Sequence, residues 1–592
     1  MARSGTESEI LTKLPAQEQR GKAARAGIYY RTVRHTCWSQ LLWRMRYSLE
    51  RRRKLSPRTI SRWRWPEARN PRIRTDFPDV PLIATRAGSD ASLLAPRAGE
   101  CPDWRLGPIT KDRLRTITLH YHAWAYELAD AAAGNDPKAE EATTLFRDYV
   151  SDWIARCALE TAGARDLAWN AYAIATRLTW WIRCHQRLGP RWRDWGEFEH
   201  DFLASLWQQA SYLRDHLEWD LRANHLMRDA VGLAWAGRFF EETQAREWLQ
   251  TATRLAVEQA EEQILSDGGH FERSPMYHLH IMEDLFSLSL LVEDVKARDR
   301  LRDAWRRMAE FLAWVRHPDG DLALFNDGGL LGAQAVEDML GLGERLGAAI
   351  DPAPRRGGAF FPHTGLAVWH GDPWAIFFDV GPVGPDYQPG HAHADTLAVE
   401  CSFRGRRLFV DPGTYAYDLD DRRRYDRSTA AHNTVCIDGQ DSSEVWHIFR
   451  VGRRAYPLDA QVDFSGGGMR ASASHDGYDH LPGRPRHLRR LEISKDGSLT
   501  VTDSITGRGD HLVQGGLLLS PEWTAIPGAG GWLLQNGELS VRVTVRGPEN
   551  LALSEECRPY HPDYGREVQT TRLCWRVQGS LTVDALTIIE EA

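Results

Sequence analysis

Three short stretches concentrate residues whose side chains can move protons or hold an anion or a metal. The first, Arg222-Ala-Asn-His-Leu-Met-Arg228, sets Asn224 and Arg228 four residues apart and His225 and Arg228 three apart, so on a helix they share a face. An amide, an imidazole and a guanidinium so arranged suit one carboxylate; the same pattern also serves solvated or capping roles. The second is Asp267-Gly-Gly-His-Phe-Glu-Arg-Ser-Pro-Met-Tyr-His278. Ser274 reads as an N-cap and Pro275 as the first helical residue, which puts Tyr277 in the first turn of the next helix. The positive helix end is expected to favour phenolate there, and a phenolate is a base; a tyrosine packed for structure alone is the alternative. The third, Gly390-His-Ala-His-Ala-Asp395, places His391 and His393 on one side of an extended segment. Asp411 follows His393 by eighteen residues, and His432 follows Asp411 by 21. Two imidazoles and a carboxylate ending adjacent strands suit Zn²⁺ with a position left for water. Histidine pairs also occur as ordinary hydrogen-bonding residues, and spacing alone does not separate the two.

The elements that must position these residues fall into two halves of different period. Residues 114–132, 140–159, 165–187, 197–216, 224–240, 245–265, 276–292 and 298–315 carry apolar side chains at i, i+3 and i+4, joined by short Gly-, Pro-, Asp- or Asn-containing turns. Eight helices so connected predict stacked antiparallel hairpins that curve into a solenoid or an incomplete toroid. After residues 351–358, with two prolines and two glycines, the pattern shortens to strands at 366–370, 374–380, 397–403, 407–411, 433–438, 487–493, 499–505, 517–519, 539–545 and 581–588. The expectation is an α+β chain in three parts: a basic N-terminal segment and linker (1–110), an (α/α) toroid (111–350) and an antiparallel β-sandwich (351–592), with the cleft at the junction of the last two.

Composition narrows the function classes. At 592 residues, with 42% hydrophobic and 26% charged, the chain is long enough for several packed domains. No run of apolar residues is long enough to span a bilayer, and residues 1–15 lack the apolar core of a signal peptide, so a cytoplasmic protein is the default expectation. Eight cysteines without a CxxC pair indicate neither a zinc finger nor a disulfide framework. A net charge of −7 is too mild for a nucleic-acid binder, but it is unevenly spread. Residues 1–80 hold 19 Lys and Arg against 7 Asp and Glu, a balance of +12, which leaves −19 on the rest. Residues 28–54 read as one basic amphipathic helix whose apolar stripe either packs on the acidic body or touches an anionic membrane surface. Twenty-four tryptophans suit both helix packing and stacking on sugar rings.

Taken in order, NHxxR, DGGHFERSPMYH, PGHAHADTL, VDPGTYAY and RSTAAHNTV resemble the heparinase II/III family of polysaccharide lyases, including related alginate lyases, closely over residues 195–454. The resemblance implies a toroid followed by a β-sandwich and cleavage of an acidic polysaccharide by β-elimination at a uronic acid. It assigns Asn224 and His225 to the uronate carboxylate and Tyr277 and His391 to proton transfer. His393, Asp411 and His432 match a mainly structural zinc site, while family members differ at Arg228. Arg228, Arg273, His278 and Tyr415 are the further substrate-binding candidates. Two other functions fit the same layout: a glycoside hydrolase, which needs a carboxylate pair such as Glu272 with Asp395, and a glycan-binding or exopolysaccharide-assembly protein without catalysis.

Overall fold

The computed structural model describes residues 22–67, 69–83, 102–104, 113–134, 137–351 and 353–592. The signal-peptide reading of residues 1–15 and much of the 1–110 linker lie outside them.

Apolar periodicity produces the helices in their expected order. Helices α1 (Lys22–Val33), α2 (Trp38–Arg52) and α3 (Pro57–Ile60) precede the toroid. The toroid comprises α4 (Arg113–Leu119), α5 (Ala123–Ala133), α6 (Ala139–Arg156), α7 (Ala171–Leu188), α8 (Gly196–Asp215), α9 (Ala223–Phe239), α10 (Thr243–Gln263), α11 (Pro275–Leu291), α12 (Val295–Leu312), α13 (Ala333–Gly341) and α14 (Gly343–Leu346). Two expected helices are each split in two. The 114–132 helix breaks where His122 adopts φ 65°. There Trp153 Nε1 donates to His120 Nδ1 (3.2 Å), Trp181 Nε1 to His122 Nδ1 (2.9 Å) and Arg177 to the His120 carbonyl (2.7 Å), so the core itself requires the break. The 28–54 helix breaks before Trp38, where extended Cys37 and the Gln40 side chain form a capping box.

The C-terminal half is an antiparallel β domain. Its first sheet runs in sequence order through β1 (Gly357–Phe361), β2 (Leu366–His370), β3 (Trp374–Asp379), β4 (Val399–Phe403) and β5 (Arg406–Phe409). Helix α15 (Asp421–Arg427) leads to β6 (Val435–Ile437) and the short ribbon β7 (Val445–Trp446) and β8 (Arg450–Val451). Then come β9 (Pro457–Asp463), β10 (Arg470–His475), β11 (Arg486–Ile493), β12 (Leu499–Thr506), β13 (Asp510–Leu518), β14 (Thr524–Gly528), β15 (Gly531–Asn536), β16 (Leu539–Arg546), β17 (Ala552–Asp563), β18 (Arg566–Ser580) and β19 (Val583–Glu591). They form an eight-stranded sheet, β14-β15-β16-β19-β12-β11-β10-β9, and a four-stranded one, β17-β18-β13-β6. The strands that periodicity missed, such as β17 and β18, are half-exposed and rich in Glu, Arg and Gln, so they carry little apolar alternation.

Sixteen tryptophans are buried, among them Trp153, Trp181 and Trp235 in the toroid core, and only Trp38 is exposed. Their main use is packing. The apolar stripe of α2 does not lie on the acidic body: Gln40 and Tyr47 face inward while Trp38, Leu42, Met45 and Leu49 face out. The inward face is chosen by hydrogen bonding, because Tyr47 Oη donates to the Leu217 carbonyl (2.5 Å) and Gln40 reaches three carbonyls.

Candidate active site

The site forms where four loops meet at the toroid–β junction, and its centre is a residue outside the three motifs. Asp327, in the loop between α12 and α13, is fully buried. Its Oδ2 receives His391 Nδ1 (3.1 Å), its Oδ1 receives His393 Nε2 (2.9 Å), and Arg423 from α15 grips both oxygens, Nη2 to Oδ2 at 2.8 Å. Burial opposes the charge, but Arg423 and the two imidazoles hold Asp327 well below the usual carboxylate range. It is therefore ionised, and His391 presents Nδ1–H to it, leaving Nε2 for chemistry.

Backbone bonds fix this loop from both sides. Asp327 N–H donates to the His391 carbonyl (2.9 Å), Ser274 Oγ donates to the Asp327 carbonyl (2.6 Å), and His393 N–H donates to Asn326 Oδ1 (2.9 Å). The Asp267 carboxylate accepts from the backbone of His363 and Thr364, both at 2.8 Å, tying the second motif to the β domain. Gly413 is required beneath the site: at φ 72°, a Cβ there would lie 2.0 Å from the His561 carbonyl.

Tyr277 sits in the first turn of α11, with Ser274 as its N-cap (3.1 Å). Its ring lies 3.7 Å from the His391 ring, and its hydroxyl is 2.8 Å from Tyr417 Oη, which is 2.6 Å from Tyr564 Oη. The expected phenolate is not what this environment favours. Burial raises the Tyr277 pKa well above 10, outweighing the helix end, and Tyr417 and Tyr564 are raised likewise. The hydroxyls form a chain of phenols.

Beside this pair, Asn224 opens α9 with its Oδ1 buried and unpartnered, and its N–H donates to Glu272 Oε1 (3.3 Å). The other oxygen of Glu272 lies 3.5 Å from His391 Nε2 and has no hydrogen bond. Burial raises the Glu272 pKa, against the opposing pull of His391, the Asn224 N–H and His225. His225 contacts Tyr172 and pairs with Glu218 at 3.0 Å; burial pulls its pKa down, but Glu218 outweighs this and the net shift is upward.

The other candidates point elsewhere. Arg228 is buried against Asp284 (2.6 Å) and the hydroxyls of Thr176 and Thr179. Arg273 donates to the carbonyls of Thr364, Phe271 and His363, clamping the two domains. His278 bridges the His270 N–H and the Met308 carbonyl, and burial lowers its pKa to about 4. Tyr415 packs on His561 and under Arg422, so Tyr417, two residues on, is the tyrosine that reaches Tyr277.

Behind His391, the donor atoms of His393, Asp411 and His432 lie within 4.8 Å of one another, all buried. His393 Nδ1 and His432 Nε2 have no partner, while His432 Nδ1 holds Asp411 Oδ2 at 2.7 Å. Burial pushes Asp411 well above its ordinary value and Asp395, facing His432 and Asp411, to about 6. Orphaned imidazole nitrogens amid crowded carboxylates fit a divalent metal. Asp395 belongs to this buried cluster; the carboxylate that shares the His391 ring with Glu272 is Asp327.

Fold and site together define a toroid-plus-β-sandwich protein with a tyrosine, a histidine and an amide converging at the junction. The chain belongs to the heparinase II/III family: the family's N-terminal model matches residues 94–340 and its "Heparinase II/III-like, C-terminal" model residues 353–588. It is 25% identical over 448 residues to a heparin-sulfate lyase of Bacteroides stercoris, covering 64% of this chain and 65% of that protein. It is 26% identical over 309 residues to the FtsZ-localized protein C of Caulobacter vibrioides, covering 49% and 50%. The crystal structure of heparinase III superposes with a TM-score of 0.69 at 19% identity, over 83% of this chain and 79% of that one. The chain thus spans less than two thirds of the curated relatives it matches.

Proposed function

We propose that the protein is a polysaccharide lyase that cleaves a uronic-acid-containing glycan by β-elimination, with glycosaminoglycans of the heparan type as the first substrates to test. The observation that carries this reading is the contact of Tyr277 with His391 across the domain junction, next to Asn224, whose buried side-chain oxygen has no partner. Relatives named heparin-sulfate lyase support the choice of substrate.

Removing the C5 proton of a uronate loads charge onto a carboxylate that is already anionic, so the site must stabilise that group first. The Asn224 side-chain NH2 and the raised-pKa imidazole of His225 supply donors. His391 Nε2, oriented by Asp327, then takes the C5 proton. The C4–C5 double bond forms as the C4–O4 bond breaks, and Tyr277 gives its proton to the departing O4. That proton is replaced along Tyr417 and Tyr564. A buried phenol acts more readily as acid than as base, so proton abstraction falls to His391.

A zinc ion held by His393, Asp411 and His432 would supply a structural brace behind the His391 loop. Incubation with heparan sulfate, heparin, hyaluronan, chondroitin, alginate and bacterial exopolysaccharides should produce the ultraviolet absorbance of an unsaturated uronate with at least one of them. Reducing ends released without a double bond would replace this reading by hydrolysis, and binding without turnover would replace it by a glycan-binding role.

A further inference from the structure

Among the described residues, twelve large hydrophobic side chains are exposed, and seven of them lie between Tyr29 and Leu49. On α2, Trp38 (83% exposed), Leu42 (65%), Met45 (64%) and Leu49 (56%) recur at i, i+4, i+7 and i+11 and form one continuous outward stripe. The helix cannot roll to bury it. Its inner face is fixed by Tyr47 on the Leu217 carbonyl, by Trp43 stacked on Trp219, and by Gln40 on the carbonyls of Asp220, Leu221 and Tyr387. Arg165 holds its C-terminal end through the carbonyls of Glu50, Arg51 and Arg53, and Arg31 on α1 pairs with Glu444 of the β domain at 2.7 Å. Charge flanks the stripe: Arg46, Arg51, Arg53 and Lys54 are exposed at its edge and end.

We infer that α2 docks the protein on an anionic lipid bilayer surface, the stripe entering the headgroup–acyl boundary and the basic residues meeting lipid phosphates. This combination of a Trp- and Leu-bearing apolar face and a basic margin is what an in-plane interfacial helix needs. The surrounding charge selects the occupant: residues 1–80 carry +12 on a chain of −7. A second copy of the chain would bring two basic faces together, which like-charge repulsion disfavours. Nucleic acid would leave the aliphatic stripe unused. The docking helix also touches both loops that lead to the site, since Asp220 and Leu221 precede Asn224 and Tyr387 precedes His391. Attachment would therefore hold the candidate catalytic junction close to the bilayer. The inference does not rest on the proposed activity.

The test is flotation of the full chain with vesicles of phosphatidylcholine alone or mixed with phosphatidylglycerol, at low and high salt. The chain should float with the anionic vesicles, less at high salt. The double variant Leu42→Glu, Met45→Glu should lose roughly tenfold or more of that binding, since two carboxylates would replace inserted side chains. Val295→Glu, at an exposed apolar position on α12 (58%), should bind as wild type. Circular dichroism and thermal unfolding of both variants should match wild type, because the altered side chains touch solvent. Absence of flotation with anionic vesicles at low salt, equal flotation with neutral ones, or undiminished flotation of the double variant would overturn the inference. So would a dimer in solution that the double variant dissolves without any vesicle binding.

Discussion

Replacing Asp327 by Asn separates the two jobs this carboxylate performs. It receives His391 Nδ1 at 3.1 Å, His393 Nε2 at 2.9 Å and a two-pronged contact from Arg423, all buried. An amide of the same shape keeps the volume, removes the charge and turns one acceptor into a donor facing other donors. Breaking a buried ion pair costs about 3–5 kcal/mol. Expressed in the orientation and tautomer of His391, the same energy is about 10²- to 10⁴-fold in rate. kcat should therefore fall by about that factor while KM moves little, because Asn224 and His225 are untouched. The assay is the initial rate of ultraviolet absorbance on whichever uronate glycan the wild type cleaves, paired with thermal unfolding. Asp284→Asn is the matched control: it strips the partner of buried Arg228 (2.6 Å), away from the tyrosine–histidine pair. It should lower the unfolding temperature by several degrees and leave kcat nearly intact. A folded Asp327→Asn enzyme with wild-type kcat, or an equal kcat loss in Asp284→Asn, would refute the positioning role.

Tyr277→Phe should lower kcat by roughly 10²- to 10⁴-fold, the range of a lost proton-transfer group, while Tyr417→Phe, one step back along the hydroxyl chain, should cost about tenfold; both are read from the same absorbance. Elemental analysis should find about one zinc per chain, lost in His432→Ala, with chelation lowering the unfolding temperature more than it lowers kcat at temperatures where the protein stays folded. Because Glu218 raises the His225 pKa above its ordinary value, its positive charge is present below that pKa and lost as pH rises through it. kcat/KM for an anionic glycan should fall over that interval, and His225→Asn should flatten this limb of the profile.

The sequence made the helical half and the main strands legible because each carries its own period: the expected 366–370 strand coincides with β2 (Leu366–His370). The Ser-Pro start of α11 likewise placed Tyr277 in its first turn. What stayed hidden was set by tertiary contacts. Asp327 lies in a Phe-Asn-Asp-Gly-Gly turn that reads as a connection between helices, and only folding brings it to Arg423, 96 residues away. Its one sequence signal is the turn itself, a polar cluster between apolar runs of a kind that often carries function. Tyr415 and Tyr417 are equivalent on paper; the His561 ring claims one and Tyr277 the other. The expected phenolate failed because a helix end was weighed without the burial around it. The outward stripe of α2 reverses the usual inference from an amphipathic pattern, since hydrogen bonds from Gln40 and Tyr47, rather than apolar area, decide which face lies inside.

The most direct test of the central claim is mass spectrometry of the new non-reducing ends formed from a uronate glycan by the wild type and by Tyr277→Phe and His391→Ala. The account predicts unsaturated uronate ends with the wild type and their near-complete loss in both variants. Saturated ends that incorporate solvent water, or unsaturated ends formed undiminished by either variant, would contradict it.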